Sequence, residues 1–243
     1  MAAKDITVVL DFDGTLTPKT GSLFEYVDRH ALSEASLVAS RQMREKYLGR
    51  MKDRRLSLEE ELAWLEDSLK LYVEDSVTDC QVQEALAGVR LRDGVVKCLQ
   101  TLKNIGVPVA IVSYGVLQFI ETVLDNHGAL DLVDVIYAAH MLYDSSGNGH
   151  YIGYRSDSLV VPGNKDRWSR RFAEICGRPF EKQLAVGDSG ADKRLGPCQG
   201  NRFGLADSID EAERLTEFMS HVITSQRFDE MALFLLRNIM LRT

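Results

Sequence analysis

Two apolar patterns alternate along the chain. Short continuous β-branched and apolar runs occur at residues 6–10, 107–112 and 183–186. Such runs belong to strands covered on both faces, as in a parallel sheet. Between and after them, apolar residues recur at helical spacing over 94–104, 116–126, 166–176 and 228–242, which predicts helices. The resulting βαβ rhythm predicts an α/β fold with a Rossmann-like three-layer core and a parallel sheet. A further strand is expected at 221–224. Residues 133–142 and 150–154, separated by DSSGNG, read as a β-hairpin whose turn residues tolerate positive φ.

From about residue 21 to 87 the composition changes to helix formers with charged spacing. This stretch predicts an all-helical insertion, so the expected organisation is a catalytic core of 1–18 and 91–243 with a small helical cap of 19–90. Leu58, Leu62, Leu65 and Leu69 fall at helical spacing behind a Ser57/Glu60 capping box, and the stripe predicts a small core private to the insertion. Trp64 and Trp168 read most simply as core residues.

Composition narrows the function classes. The chain has 243 residues, 45% of them hydrophobic and 27% charged, which is ordinary for a globular protein. Its formal charge of −7 argues against a general nucleic-acid or membrane-surface binder, because such proteins neutralise phosphates with basic surfaces. The start, MAAKDITVVLDFDG, reads as neither signal peptide nor membrane span, so a cytoplasmic protein with a small-molecule partner is expected. Cys80, Cys98, Cys176 and Cys198 are scattered and read as reduced thiols, and the five histidines show no metal-ligand spacing.

The candidate chemistry sits where strands end. Asp11 and Asp13 follow the first run, Ser113 the second, and Asp188 and Asp192 the third, with Lys165 between the last two. In open α/β sheets ligands bind outside the carboxyl ends of the strands, so these residues are expected to share one crevice. Close carboxylates repel unless a cation neutralises them or one takes a proton, and an all-oxygen donor set suits Mg²⁺ better than zinc. A carboxylate beside such a cation is a usable nucleophile toward phosphorus, with Lys165 offsetting charge and the Ser113 hydroxyl holding phosphoryl oxygens. Gly14, Gly115, Gly187 and Gly190 would let backbone approach a phosphate. Taken singly, each has a plainer reading: a turn pair for Asp11 and Asp13, a helix cap for Ser113, a solvated surface lysine for Lys165.

DFDGTLT at 11–17, IVSYG at 111–115, NKDRW at 164–168 and GDSGAD at 187–192 together resemble, in order, the motifs of the haloacid-dehalogenase-like superfamily. The resemblance implies Asp11 as nucleophile and Asp13 as general acid and base. It implies Ser113 and Lys165 as phosphoryl-binding groups, with Mg²⁺ held by Asp11, the Asp13 carbonyl and Asp188. Asp192 would be a further ligand or a support for Lys165, and Thr15 would fix the loop that holds Asp13. An aspartate at position 13 is similar to phosphatases rather than halide-releasing members, and the cap and hairpin resemble the phosphoserine-phosphatase-like branch. There are two departures: Thr20 stands where those enzymes carry an acidic residue, and the fourth motif reads GDS rather than GDG.

The expectation is therefore a Mg²⁺-dependent phosphatase of a small phosphorylated metabolite. A phosphotransferase or mutase, or a non-catalytic regulatory binding protein that keeps the fold, are the alternatives. Glu25, Arg41, Arg44, Arg54 and Arg55 are cap charges that either read the substrate or form a solvated face.

Overall fold

The computed structural model of the protein describes residues 5–52, 56–144 and 149–242, with side chains at 48, 49, 51 and 52 undescribed. A six-stranded parallel sheet forms its centre: β1 (Val8–Leu10), β2 (Val109–Val116), β3 (Val135–Ala139), β6 (Leu184–Gly187), β7 (Arg202–Ala206) and β8 (His221–Thr224). The spatial order is β3-β2-β1-β6-β7-β8. The chain runs outward from β1 to β3, then returns to β6 and runs outward the other way. The crevice between the carboxyl ends of β1 and β6 is thus the switch point where such sheets bind ligands. β1 is buried along its whole length, because helices cover both faces of the sheet.

Helices α5 (Val95–Asn104), α6 (Leu117–Asn126), α7 (Lys165–Ile175), α8 (Ile209–Leu215) and α9 (Asp229–Arg242) flank the sheet. Four more, α1 (Leu23–Ala31), α2 (Glu34–Lys52), α3 (Leu58–Glu74) and α4 (Asp79–Leu86), form the expected helical cap. The Ser57/Glu60 capping box is present at the start of α3. Among the described residues, no helix is long and apolar enough to cross a membrane.

Two expectations need correction, and two elements had none. The stripe on α3 does not make a private cap core. Leu65 and Leu69 are fully buried in the main hydrophobic cluster, Leu62 packs partly buried against it, and Leu58 is 45% exposed. The reason is that α1 and α4 lie on α6, so Phe24 of α1 and Tyr72 of α3 meet Phe119 of α6 with ring centroids 6.1 and 5.6 Å apart.

The first hairpin strand is in fact two strands. β3 joins the parallel sheet, and the chain turns at His140, whose N–H donates to Ser158 Oγ (2.9 Å) while its carbonyl accepts from the Arg155 amide (2.8 Å). Only then do β4 (Met141–Tyr143) and β5 (Tyr151–Tyr154) pair antiparallel. Residues 145–148 of the DSSGNG turn, like Arg54 and Arg55, lie outside the described residues.

Strand β7 and helix α8 have no counterpart in the sequence pattern. At Gly204, the centre of β7, a Cβ would lie only 3.1–3.3 Å from Val222, Leu215 and Met219. The glycine is what lets α8 and β8 approach so closely.

Candidate active site

The carboxyl end of β1 turns sharply through Phe12 to Thr17. Phe12 is completely buried, which anchors the loop, and its carbonyl accepts from the amides of Thr15, Leu16 and Thr17. Gly14, at φ +78°, completes the turn and donates its N–H to Thr17 Oγ1 (3.1 Å). This loop aims Asp11 and Asp13 into the crevice. Thr15 ties the loop to the end of β6, its hydroxyl donating to Asp188 Oδ1 (3.0 Å), while Thr17 braces the loop from within.

Lys165, at the first turn of α7, is the pivot of the site. It is 1% exposed, and its Nζ donates to Asp11 Oδ1 (2.6 Å) and Asp192 Oδ1 (2.7 Å). Burial alone would lower the pKa of that ammonium, but the charges of Asp11 and Asp192 outweigh it and push the value up. The reading of Lys165 as a solvated surface lysine is therefore wrong. Asp192, fully buried, uses its second oxygen to accept from the Asp188 and Ser189 amides, each at 3.1 Å. Both of its oxygens are thus occupied.

Ser113 lies inside β2, where the pairing with β3 is irregular between Val112 and Val116. It is 2% exposed. It does not cap α6, whose N-cap is Val116 and carries no side-chain cap bond. A Cβ on Gly115 would lie 3.3 Å from Ser113 Oγ, so the missing side chain there makes room for the hydroxyl.

Gly14 and Gly187 also make room, and in both cases for carboxylates. A Cβ on Gly14 would sit 2.5 Å from Asp188 Oδ2, and one on Gly187 2.4–2.5 Å from atoms of Asp192. Since its N–H is committed to Thr17, Gly14 contributes by close approach to Asp188 rather than by presenting an amide. Gly187→Ala is expected to displace Asp192 from Lys165 and cost about 1–3 kcal/mol. Gly190→Ala, where a Cβ would meet nothing within 4 Å, is expected to be neutral in the same thermal melts. Equal melting temperatures for the two variants would refute this.

The electrostatics follow from burying several acids together. Burial, then the neighbouring Asp192, raises the Asp11 carboxyl well above its ordinary value, and Lys165 only partly offsets this. Burial brings Asp188 to about 6 and the partly buried Asp13 to about 7. Asp13 accepts from the Leu23 amide at the start of α1 (3.3 Å). One carboxyl oxygen from each of Asp11, Asp188 and Asp192 lies within 4.8 Å of the others. This hard, all-oxygen donor set carries excess negative charge and fits a divalent cation.

Two residues here had no signal in the sequence. Lys19 Nζ pairs with Asp188 Oδ2 and Glu211 Oε2, both at 3.0 Å. The Arg92 side chain, wholly buried, donates to the carbonyls of Gly14 (2.8 Å), Thr17 (3.1 Å) and Gln226 (3.0 Å), and pairs with Asp207 (2.8 Å). Their partners are far away in sequence, so no local pattern marks them. Of the cap charges, Glu25 and Arg44 line the pocket above Asp11, whereas Arg41 lines a separate one on the cap.

Comparison with known proteins agrees with this geometry. A family model for haloacid dehalogenase-like hydrolases matches residues 8–196. A phosphoserine phosphatase of Streptomyces coelicolor is 26% identical over 162 residues, which is 64% of this chain and 35% of that protein. The chain thus matches about a third of that relative's length. Among solved structures, a cytosolic 5′-nucleotidase IIIB bound to cytidine superposes with a TM-score of 0.77 at 17% identity, covering 98% of this chain and 87% of the other. A phospho-aspartyl intermediate analogue of phosphoserine phosphatase gives 0.66 at 19% identity, covering 95% and 98%. At these identities the structural likeness speaks for the fold.

Proposed function

Because the chain belongs to the haloacid dehalogenase-like hydrolase family, we propose that it hydrolyses a small phosphomonoester through a covalent phosphoryl intermediate on Asp11, with Mg²⁺ as cofactor. One observation carries the reading. A buried ammonium, Lys165, touches Asp11 in a crevice that also holds Asp13, whose carboxyl is poised at about 7.

In the first step an Asp11 oxygen attacks phosphorus, and the bond from phosphorus to the ester oxygen breaks. Asp13 gives its proton to that leaving oxygen. A water then attacks the aspartyl phosphate; Asp13, now a carboxylate, takes its proton, and phosphate leaves while Asp11 is restored. A group near 7 suits both halves, since it is a competent acid and, once deprotonated, a competent base. Lys165 and the Ser113 hydroxyl hold the equatorial phosphoryl oxygens.

Asp11, Asp188 and the Asp13 carbonyl would hold the metal. When bound, Mg²⁺ supplies the positive charge that lets two anions approach. Asp192 supports Lys165 through one oxygen and, lying beside Asp11 and Asp188, would be either a further ligand or a second-layer charge at the metal. Core segments 1–18 and 91–243 provide all these groups, and the cap of 19–90 covers them.

Release of inorganic phosphate from a panel of phosphomonoesters, with and without Mg²⁺, tests the reading. Movement of phosphate between organic molecules, with none released, would point to a phosphotransferase instead. Independently of turnover, Mg²⁺ at about 100 times its Kd is expected to stabilise the protein by about 2.7 kcal/mol, or roughly 5–10 °C in Tm. Asp188→Asn is expected to remove that shift. A wild-type melt indifferent to Mg²⁺ would sink the metal assignment.

A further inference from the structure

Directly above Asp11, Ser113 and Lys165 lies a cavity of about 280 Å³. Its walls are aromatic: Phe24 of α1, Tyr47 of α2, Trp64 of α3 and Tyr114 of β2. Three of these form a continuous cluster. Tyr47 and Trp64 stack at 4.3 Å with planes 17° apart, and Tyr114 lies 5.3 Å from Trp64 at 40°. Tyr114 comes from the sheet and the other two from the cap, so the cluster spans the seam through which the non-phosphate part of a substrate must extend.

The cluster is not an ordinary piece of core. Tyr47 is only 5% exposed, the Trp64 indole N–H is sealed from solvent without a hydrogen-bond partner, and the equally sealed hydroxyls of Tyr47 and Tyr114 have only each other nearby. Such groups cost free energy until a partner arrives, and phenylalanine or leucine would fill the same volume without that cost.

The charges in this wall argue against an amino-acid or ammonium substrate. Glu25 is paired with Arg44 and Arg29, and Arg44 also pairs with Asp28 (3.1 Å). The four charges cancel, so the wall offers no free acid to an ammonium group. Thr20, at the position noted above, turns its hydroxyl to Tyr26 (3.0 Å) instead.

We propose, resting on the phosphatase reading above, that this box selects phosphomonoesters whose organic group is a planar aromatic or heteroaromatic ring. The ring packs among Phe24, Trp64 and Tyr114, the aromatic walls of the cavity above Asp11. Stacking of a planar ring on aromatic side chains is strong enough to change affinity about tenfold or more, and it tolerates different rings because every one has a π-face.

The test compares kcat/KM for phenyl phosphate, adenosine 5′-monophosphate, glycerol 2-phosphate and phosphoserine, in the wild type and in Trp64→Leu and Tyr47→Leu. Ring-bearing esters are expected to exceed the ringless ones at least tenfold, and each variant to lower the ring-bearing esters at least tenfold more than glycerol 2-phosphate. Preference for phosphoserine or glycerol 2-phosphate, or an equal loss on all four esters, would overturn the proposal while leaving the phosphatase reading intact. Should no ester be hydrolysed, that reading fails, and the ring site is decided by binding alone. The protein has two tryptophans, so Trp168→Phe leaves Trp64 as the sole indole reporter. Saturable quenching of it by phenyl phosphate, absent with inorganic phosphate, is expected, and no saturable quenching would overturn the ring site.

Discussion

Asp11→Asn is expected to reduce phosphate release by about 10⁴–10⁶-fold, the range seen when a nucleophile acting in concert with its neighbours is removed. The substitution is close to isosteric, so the Phe12-anchored loop keeps its shape. What disappears is the nucleophilic oxygen and the negative charge facing Lys165, which retains Asp192 as its partner. The variant is therefore expected to melt within a few degrees of the wild type, and this separates lost chemistry from lost folding. Rapid acid quench of the wild type during turnover is expected to leave a phosphoryl adduct on Asp11, detectable by mass spectrometry. Turnover by Asp11→Asn close to the wild-type rate would refute the nucleophile assignment, whatever the substrate.

Arg92→Met is expected to have the largest effect on stability, about 3–5 kcal/mol. Three carbonyls lose their donor, at about 1–3 kcal/mol each where they are buried, and a partly exposed aspartate loses its partner. Its side chain has no solvent exposure and pairs with Asp207. Methionine would leave that aspartate uncompensated and the carbonyls of Gly14, Thr17 and Gln226 without their donor. At roughly 2–4 °C per kcal/mol for a chain of this size, Tm is expected to fall by about 6–20 °C. Arg92→Lys keeps a charge but lacks the planar fork that reaches several carbonyls at once, so an intermediate fall is expected. A Tm within 2 °C of the wild type for Arg92→Met would show that the arginine is not holding the Gly14–Thr17 turn.

The strands that line the crevice were legible because a buried parallel strand writes itself as a short apolar run, and the polar residue after it stands out sharply. Asp11, Asp13, Ser113 and Asp188 are all of this kind. Lys165 was legible through its place between two such junctions and through the family resemblance.

Residues whose meaning depends on a distant partner left no trace. Lys19 reads as one more charge beside a proline until Asp188 and Glu211 come within 3.0 Å of it. Arg92 sits in RLRDG among other charges, and only packing reveals that it is buried. Trp64 resembles any apolar helix residue in the sequence, and its place in the cavity wall depends on its meeting Tyr47 of α2 and Tyr114 of β2. The glycine of β7 hid a strand for a related reason, since close packing by its neighbours is a tertiary fact. Even the leucine stripe of α3 gave the correct helix and the wrong destination, because periodicity specifies which face is buried and not against what.

That destination bears on how the molecule comes apart. Cap helices and sheet share one hydrophobic cluster, and the Val77 carbonyl accepts from the Tyr151 amide (2.8 Å) while the Asp79 amide donates to the Gly149 carbonyl (3.1 Å). Excising residues 19–90 would strip Phe119 and its neighbours of their cover and expose much of the main cluster of the sheet. Specificity in this protein is consequently not a detachable module. An exchange of cap sequences with a relative would have to carry α6 and the β4–β5 hairpin along with it, and substitutions that retune the pocket will be felt in the melting of the whole chain.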